Sequence, residues 1–122
     1  MAVQELTNDN FENTISDNEI VIIDFWAEWC GPCKMFKPIF ESASGRHDGI
    51  TFASCDTEAQ SELAGMFRIQ SIPTTVIFRD QVPVFSQPGM LPAPALDEVL
   101  GKVKELDMAE VKKTVAEQQA NA

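Results

Sequence analysis

Cys30 and Cys33, separated by Gly31-Pro32, are the residues whose types and spacing most directly suit chemistry in this chain. Two thiols at this spacing can act as reactive groups and can close on each other as a disulfide without a second chain. The apolar run Ile20-Val21-Ile22-Ile23-Asp24-Phe25-Trp26-Ala27 leads into the pair, and Lys34-Met35-Phe36-Lys37 after it reads as helix. A Cys-x-x-Cys at a strand-to-helix junction points to redox chemistry rather than to a structural bridge. Only a thiolate attacks a disulfide, so such a cysteine needs a lowered pKa. At a helix start, Cys30 faces unpaired backbone N–H groups and the positive end of the dipole. Pro32 fits the first turn, where its missing N–H has no helical partner, and Gly31 allows a tight turn that leaves the sulfur approachable. In this reading Cys30, at the exposed end, attacks a substrate disulfide, and Cys33, more buried, attacks the Cys30 sulfur to release the product.

A buried thiol must lose its proton to do this, and Asp24 is the candidate base. It interrupts an otherwise apolar strand six residues before Cys30. Burial would raise its pKa and keep a proton-exchanging group near neutral pH. From the residues alone a second reading stands level with this one, in which Asp24 closes a strand end and bonds a loop.

The elements that must position these groups follow from pattern. Residues 3–6 read as a short strand, and Thr7 as the N-cap of a helix carrying Phe11 and Ile15 inward, with Leu6 and Phe11 as a hydrophobic staple. Residues 20–27, apolar on both faces, read as a central strand covered by helices on each side. A helix over 33–44 should be kinked at Pro38. Residues 50–55 form the next strand, and Thr57-x-x-Gln60 reads as a capping box for a helix with Leu63, Ala64 and Phe67 inward. A strand over 74–78 turns at Asp80-Gln81 into a return strand over 82–87, which Pro83 assigns to a sheet edge. Leu96, Val99, Leu100, Val103 and Leu106 mark an amphipathic helix, and Asp107-x-x-Glu110 caps a further short one with Met108, Val111 and Val115 on one side. Residues 118–122 are expected to fray. The order β-α-β-α-β-α-β-β-α describes an α/β protein with helices on both faces of a mixed sheet.

Bulk properties narrow the function. A chain of 122 residues with 44% hydrophobic and 23% charged residues is one globular domain. Nineteen acids against nine bases leave a formal net charge of −10 with no Lys/Arg cluster, which argues against nucleic acid and against an anionic membrane surface. Neither a signal-peptide pattern nor an apolar run long enough for a membrane span is seen, so the cytoplasm is the expected location. Cys55, in a strand, reads as a small buried hydrophobe. One Cys-x-x-Cys, a distant cysteine and His47 are too few ligands for zinc or an iron–sulfur cluster, so no metal is expected. Trp26 reads as packing beside the site.

Trp29-Cys30-Gly31-Pro32-Cys33-Lys34, preceded by Asp24-Phe25-Trp26-Ala27 and followed by Ile72-Pro73-Thr74, resembles the thioredoxin family. The likeness covers roughly residues 3–106, and it is the combination of motifs that makes it specific. It implies a thioredoxin domain over 1–106 with a five-stranded mixed sheet and four helices, and a C-terminal helical extension over 107–122 that is not an independent domain. The extension is expected to dock on the domain, with partner binding and loose order as the other readings. The resemblance also implies general protein-disulfide reduction through a Cys30–Cys33 disulfide, with Asp24 taking the Cys33 proton. It implies a cis bond before Pro73, and a substrate-docking surface of Trp29, Gly31, Pro32, Ile72, Pro73 and Gly89 that pairs with an extended segment by main-chain bonds. Many relatives carry a lysine where Ser54 stands here, so Asp24 should be harder to ionise in this chain.

No cofactor is expected on the chain itself. Electrons would come from NADPH through a flavin-containing thioredoxin reductase, and the partners would be that reductase and disulfide-containing proteins, met by a monomer. Two other functions compete. An oxidase or isomerase of the same fold is disfavoured by Gly31-Pro32, because the residues between the cysteines set redox poise. A binding module with an incidental dithiol would use the acidic surface or the C-terminal helix.

Overall fold

The computed structural model describes residues 3–120. Five strands form one mixed sheet in the order β1-β3-β2-β4-β5, where β1 is Gln4–Glu5, β2 Ile20–Trp26, β3 Thr51–Asp56, β4 Thr74–Arg79 and β5 Val82–Pro88. β2 is the central strand. It runs parallel to β3 and antiparallel to β4, and every residue from Ile20 to Phe25 is buried. An apolar strand with no polar face is stable only in that position, with both sides covered.

The two faces hold separate cores. Ile20, Ile22, Phe52 and Ile77 pack against Phe36 and Phe40 of helix α2 (Gly31–Arg46) and against Leu96, Leu100 and Val103 of α4 (Ala93–Glu105). Val21, Ile23, Phe25, Val76 and Phe78 pack against Ile15 of α1 (Phe11–Asp17) and Leu63 of α3 (Ser61–Met66). Phe67 bridges this second core through edge contacts with Phe11 and Phe78.

Local departures from the sequence reading have plain causes. Helix α1 starts at Phe11, with Asn10 at the N-cap position but making no side-chain cap bond, because Thr7 and Asn10 exchange side-chain-to-backbone bonds (2.8 and 3.3 Å) that close a separate turn first. Helix α2 starts at Gly31, two residues earlier than expected, and runs through Pro38 to Arg46. The capping box at Thr57 does not form. Its hydroxyl donates to the Trp26 carbonyl (3.1 Å), and Asp56 accepts from the Glu58 and Ala59 amides instead. The Gln60 side chain, released from that box, accepts from the Asn8 amide (3.0 Å).

The β4–β5 hairpin turns on Asp80 and Gln81, both at positive φ (51° and 68°), the geometry whose twist suits two-residue hairpins. Pro83 lies on edge strand β5 beside a register irregularity, where its missing N–H is tolerated. Arg79 at the end of β4 reaches the last carbonyls of α4, with Nη1 2.7 Å from Val103 O and 2.8 Å from Leu106 O. Helix α5 (Met108–Ala120) starts where Asp107 accepts from the Glu110 amide, as the pattern anticipates. It is 13 residues long rather than short, and it includes 118–120, where fraying was expected; 121 and 122 lie outside the described residues. Met108 is buried, Val111 and Val115 are half-buried, and Lys112 pairs with Asp80 at 3.7 Å.

Candidate active site

The site sits at the carboxyl end of β2, where the chain leaves the sheet and enters α2. Cys30 is the N-cap of α2, in extended backbone (φ −89°, ψ 111°), and Pro32 lies in the first turn. This is the geometry that leaves amide groups pointing outward for a side-chain acceptor. Cys30 Sγ takes that role, accepting from the Cys33 backbone N–H at 3.1 Å. Cys30 and Cys33 are joined as a disulfide with Cα atoms 5.3 Å apart.

Exposure does not separate the two cysteines as the sequence reading expected. Cys30 is 4% exposed and Cys33 3%, because Ala27, Trp26 and Ile72 pack around both. What separates them is their surroundings. Cys30 Sγ sits on the helix N-terminus and 3.8 Å from the Ile72 carbonyl oxygen. Cys33 instead lines a cavity of about 470 Å³ together with Asp24, Trp26, Ser54, Lys34 and Lys37.

Asp24 is 4% exposed, and its Oδ1 has no hydrogen-bond partner among the described residues. Burial pushes its carboxyl up to about 7. The level choice left by the sequence therefore resolves as far as location goes, since Asp24 is a buried carboxyl on the cavity that also meets Cys33, not a strand-end bond to a loop. Ser54, its register neighbour on β3, brings no positive charge to it.

Ile72-Pro73 is a cis peptide, as the resemblance implies, with Pro73 buried and Ile72 half-buried. The Pro73 carbonyl accepts from the Gly89 amide at 2.8 Å, and Gly89 adopts φ +94°, a conformation that favours glycine. Among the described residues, neither the N–H nor the C=O of Ile72 makes a backbone hydrogen bond. Gly31, Pro32 and Gly89 are exposed, and Trp29 is 68% exposed. Of the six residues expected at the docking surface, Trp29, Ile72, Pro73 and Gly89 lie in loops at this end of the sheet, and Gly31 and Pro32 in the first turn of α2.

Glu58 is a neighbour that sequence reasoning missed. It accepts from the Trp29 indole N–H at 2.6 Å, and no local signal links residues so far apart in the chain. His47 is the C-cap of α2 and meets Asp97 at 2.8 Å. Cys55 is fully buried, and desolvation pushes its thiol up to about 12. Among the described residues, no group of three or more His, Cys, Asp or Glu is arranged to hold a metal, and no helix is long and apolar enough to cross a membrane.

The thioredoxin family model matches residues 2–102. The chain belongs to the thioredoxin family. It is 58% identical over 118 residues to putative thioredoxin 2 of Streptomyces coelicolor, covering 97% of this chain and 88% of that one. Thioredoxin of Staphylococcus haemolyticus is 39% identical over 103 residues, covering 84% of this chain and 98% of that one. Among solved structures, chloroplastic thioredoxin z superposes with a TM-score of 0.80 at 28% identity, over 87% of this chain and 97% of that one. A Plasmodium falciparum thioredoxin superposes with a TM-score of 0.77 at 35% identity, over 82% and 98%. Family membership and the joined cysteines together make this chain a thiol–disulfide oxidoreductase that reduces protein disulfides by dithiol–disulfide exchange.

Proposed function

We propose that Cys30 is the attacking thiol of this reductase, Cys33 the resolving thiol and Asp24 the proton acceptor. The observation that carries the assignment is the asymmetry of the pair. Cys30 Sγ accepts a backbone N–H at the helix N-terminus, whereas Cys33 shares a cavity with Asp24. The amide and the helix dipole stabilise a thiolate on Cys30. That thiolate attacks one sulfur of a substrate disulfide, forming a mixed disulfide and expelling the other sulfur as a thiolate. Ionised Asp24 then takes the Cys33 proton, directly or through water. The Cys33 thiolate attacks Cys30 Sγ, the Cys30–Cys33 disulfide closes, and the second substrate sulfur leaves reduced.

The Ile72 backbone, which makes no backbone hydrogen bond among the described residues and whose carbonyl oxygen lies 3.8 Å from Cys30 Sγ, supports docking of an extended substrate segment by main-chain bonds. Trp29, Gly31, Pro32, Pro73 and Gly89 frame that segment. Gly31 and Pro32 also set redox poise by governing how well the helix end stabilises the thiolate. Electrons return from NADPH through a flavin-containing thioredoxin reductase, and the protein works as a cytoplasmic monomer. Residues 1–106 form the thioredoxin domain, and 107–122 a helical extension that is no domain of its own. The anchoring of α5 by Met108 and Lys112 supports the expectation that it docks.

The decisive experiment is trapping. Cys33→Ser should accumulate mixed disulfides with protein substrates, detected by mass spectrometry, and Cys30→Ser should not. Trapping by Cys30→Ser alone would reverse the roles. NADPH-dependent insulin reduction with a cognate reductase tests the electron source.

A further inference from the structure

Asp24 does not stand alone on its face of the sheet. Strand register places it between Ser54 of β3 and Thr75 of β4, and extends the row to Glu5 of β1 and Gln87 of β5. Five polar residues thus cross all five strands at one level. The neighbouring level on the same face, Phe52, Ile22, Ile77 and Phe85, is apolar throughout. At the two ends of the row, Glu5 and Gln87 are exposed, and Ser54 is half-buried on the cavity wall. Thr75 differs from them. It is fully buried, and among the described residues its Oγ1 has no partner, which is also the condition of Asp24 Oδ1.

Two adjacent buried oxygens without partners are costly separately and satisfy each other together. Register partners on antiparallel strands hold their Cβ atoms roughly 4.5–5.5 Å apart, a gap that rotation of the threonine or one shared water would close. We propose that Thr75 is a positioning residue for Asp24, its hydroxyl donating to the carboxylate and holding it in the proton-accepting state. Among the described residues, Asp24 forms no ion pair. The charged groups on the cavity wall, Glu28, Lys34, Lys37 and Glu41, are all exposed and balance in sign, and the remaining titratable group there is Cys33 itself. Helix α4 presents Leu96, Leu100 and Val103 to the same face, while Asp97, Glu98 and Lys102 are held in surface pairs.

The functional weight of this coupling rests on Asp24 as proton acceptor, but the coupling can be read without turnover. The test is an NMR titration of the Asp24 side-chain carboxyl in the reduced protein, in wild type, Thr75→Val and Thr75→Ser. Valine keeps the shape and removes the hydroxyl. Loss of one hydrogen bond to a charged group should raise the Asp24 midpoint by about one pH unit, roughly tenfold in proton affinity. Thr75→Ser should leave it at the wild-type value. Thr75→Ala carries the same expectation as valine and serves if the valine protein fails to fold. An unchanged or lowered midpoint without the hydroxyl, or an equal rise with serine, would overturn the proposal. The pH profile of mixed-disulfide resolution should shift with the midpoint. A raised midpoint without that shift supports the coupling and refutes Asp24 as the base.

Discussion

Asp24→Asn should make the protein more stable at neutral and alkaline pH, by an amount that depends on pH in a defined way. In the folded protein the carboxyl is 4% exposed and its pKa is pushed up to about 7 from 3.8 by burial. Between those two values the folded chain keeps a proton that the unfolded chain has released, so stability falls as pH rises. The contribution is fully present below about pH 3.8, declines through the interval and is lost above about 7. About three pH units at 1.36 kcal/mol each set a ceiling of roughly 4 kcal/mol. Asparagine is neutral throughout and avoids this loss. Urea unfolding of the oxidised wild type and Asp24→Asn, at matched pH from 4 to 8.5, reads the difference directly. All other groups are the same in both proteins, so their contributions cancel. The stability difference should grow in the variant's favour by up to about 1.4 kcal/mol per pH unit across the interval, then level off. A difference that stays flat from pH 5 to 8 would refute the reasoning, since it would mean that ionising Asp24 costs the fold nothing.

Other outcomes follow from the same geometry. Arg79→Met removes the donors to the α4 carbonyls of Val103 and Leu106, and should cost on the order of 2–4 kcal/mol in urea unfolding. Hydrogen exchange should speed up in the last turn of α4 and in α5 before it does in β2. Gly89→Ala meets no atom within 4 Å, so its cost is the positive φ alone, about 1–2 kcal/mol. Because the Gly89 amide bonds the Pro73 carbonyl, this variant should raise KM for a protein disulfide more than for a small-molecule disulfide, as steady-state kinetics on the two substrates would show.

Much of this protein is determined by its sequence. The apolar run into β2 suits a central strand covered on both faces, and a cysteine followed by Gly31-Pro32 suits a helix start with its sulfur among free amides. Local chemistry decides both, so strand, helix and reactive pair are legible without coordinates. Tertiary structure decides who meets them. Ile72 reaches Cys30 across 42 residues of chain, and Glu58 reaches Trp29 across 29. The Thr57 capping box loses to a bond with Trp26, because strand pairing brings that carbonyl within reach first. The two cysteines share one degree of burial, and it is the cavity beside Asp24, not exposure, that distinguishes them. The polar row from Glu5 to Gln87 exists only through register. In sequence only Asp24 and Ser54 draw notice, and neither points to Glu5, Thr75 or Gln87 in the other strands. Register is set by which faces the whole sheet must bury, a condition that no local stretch of chain carries.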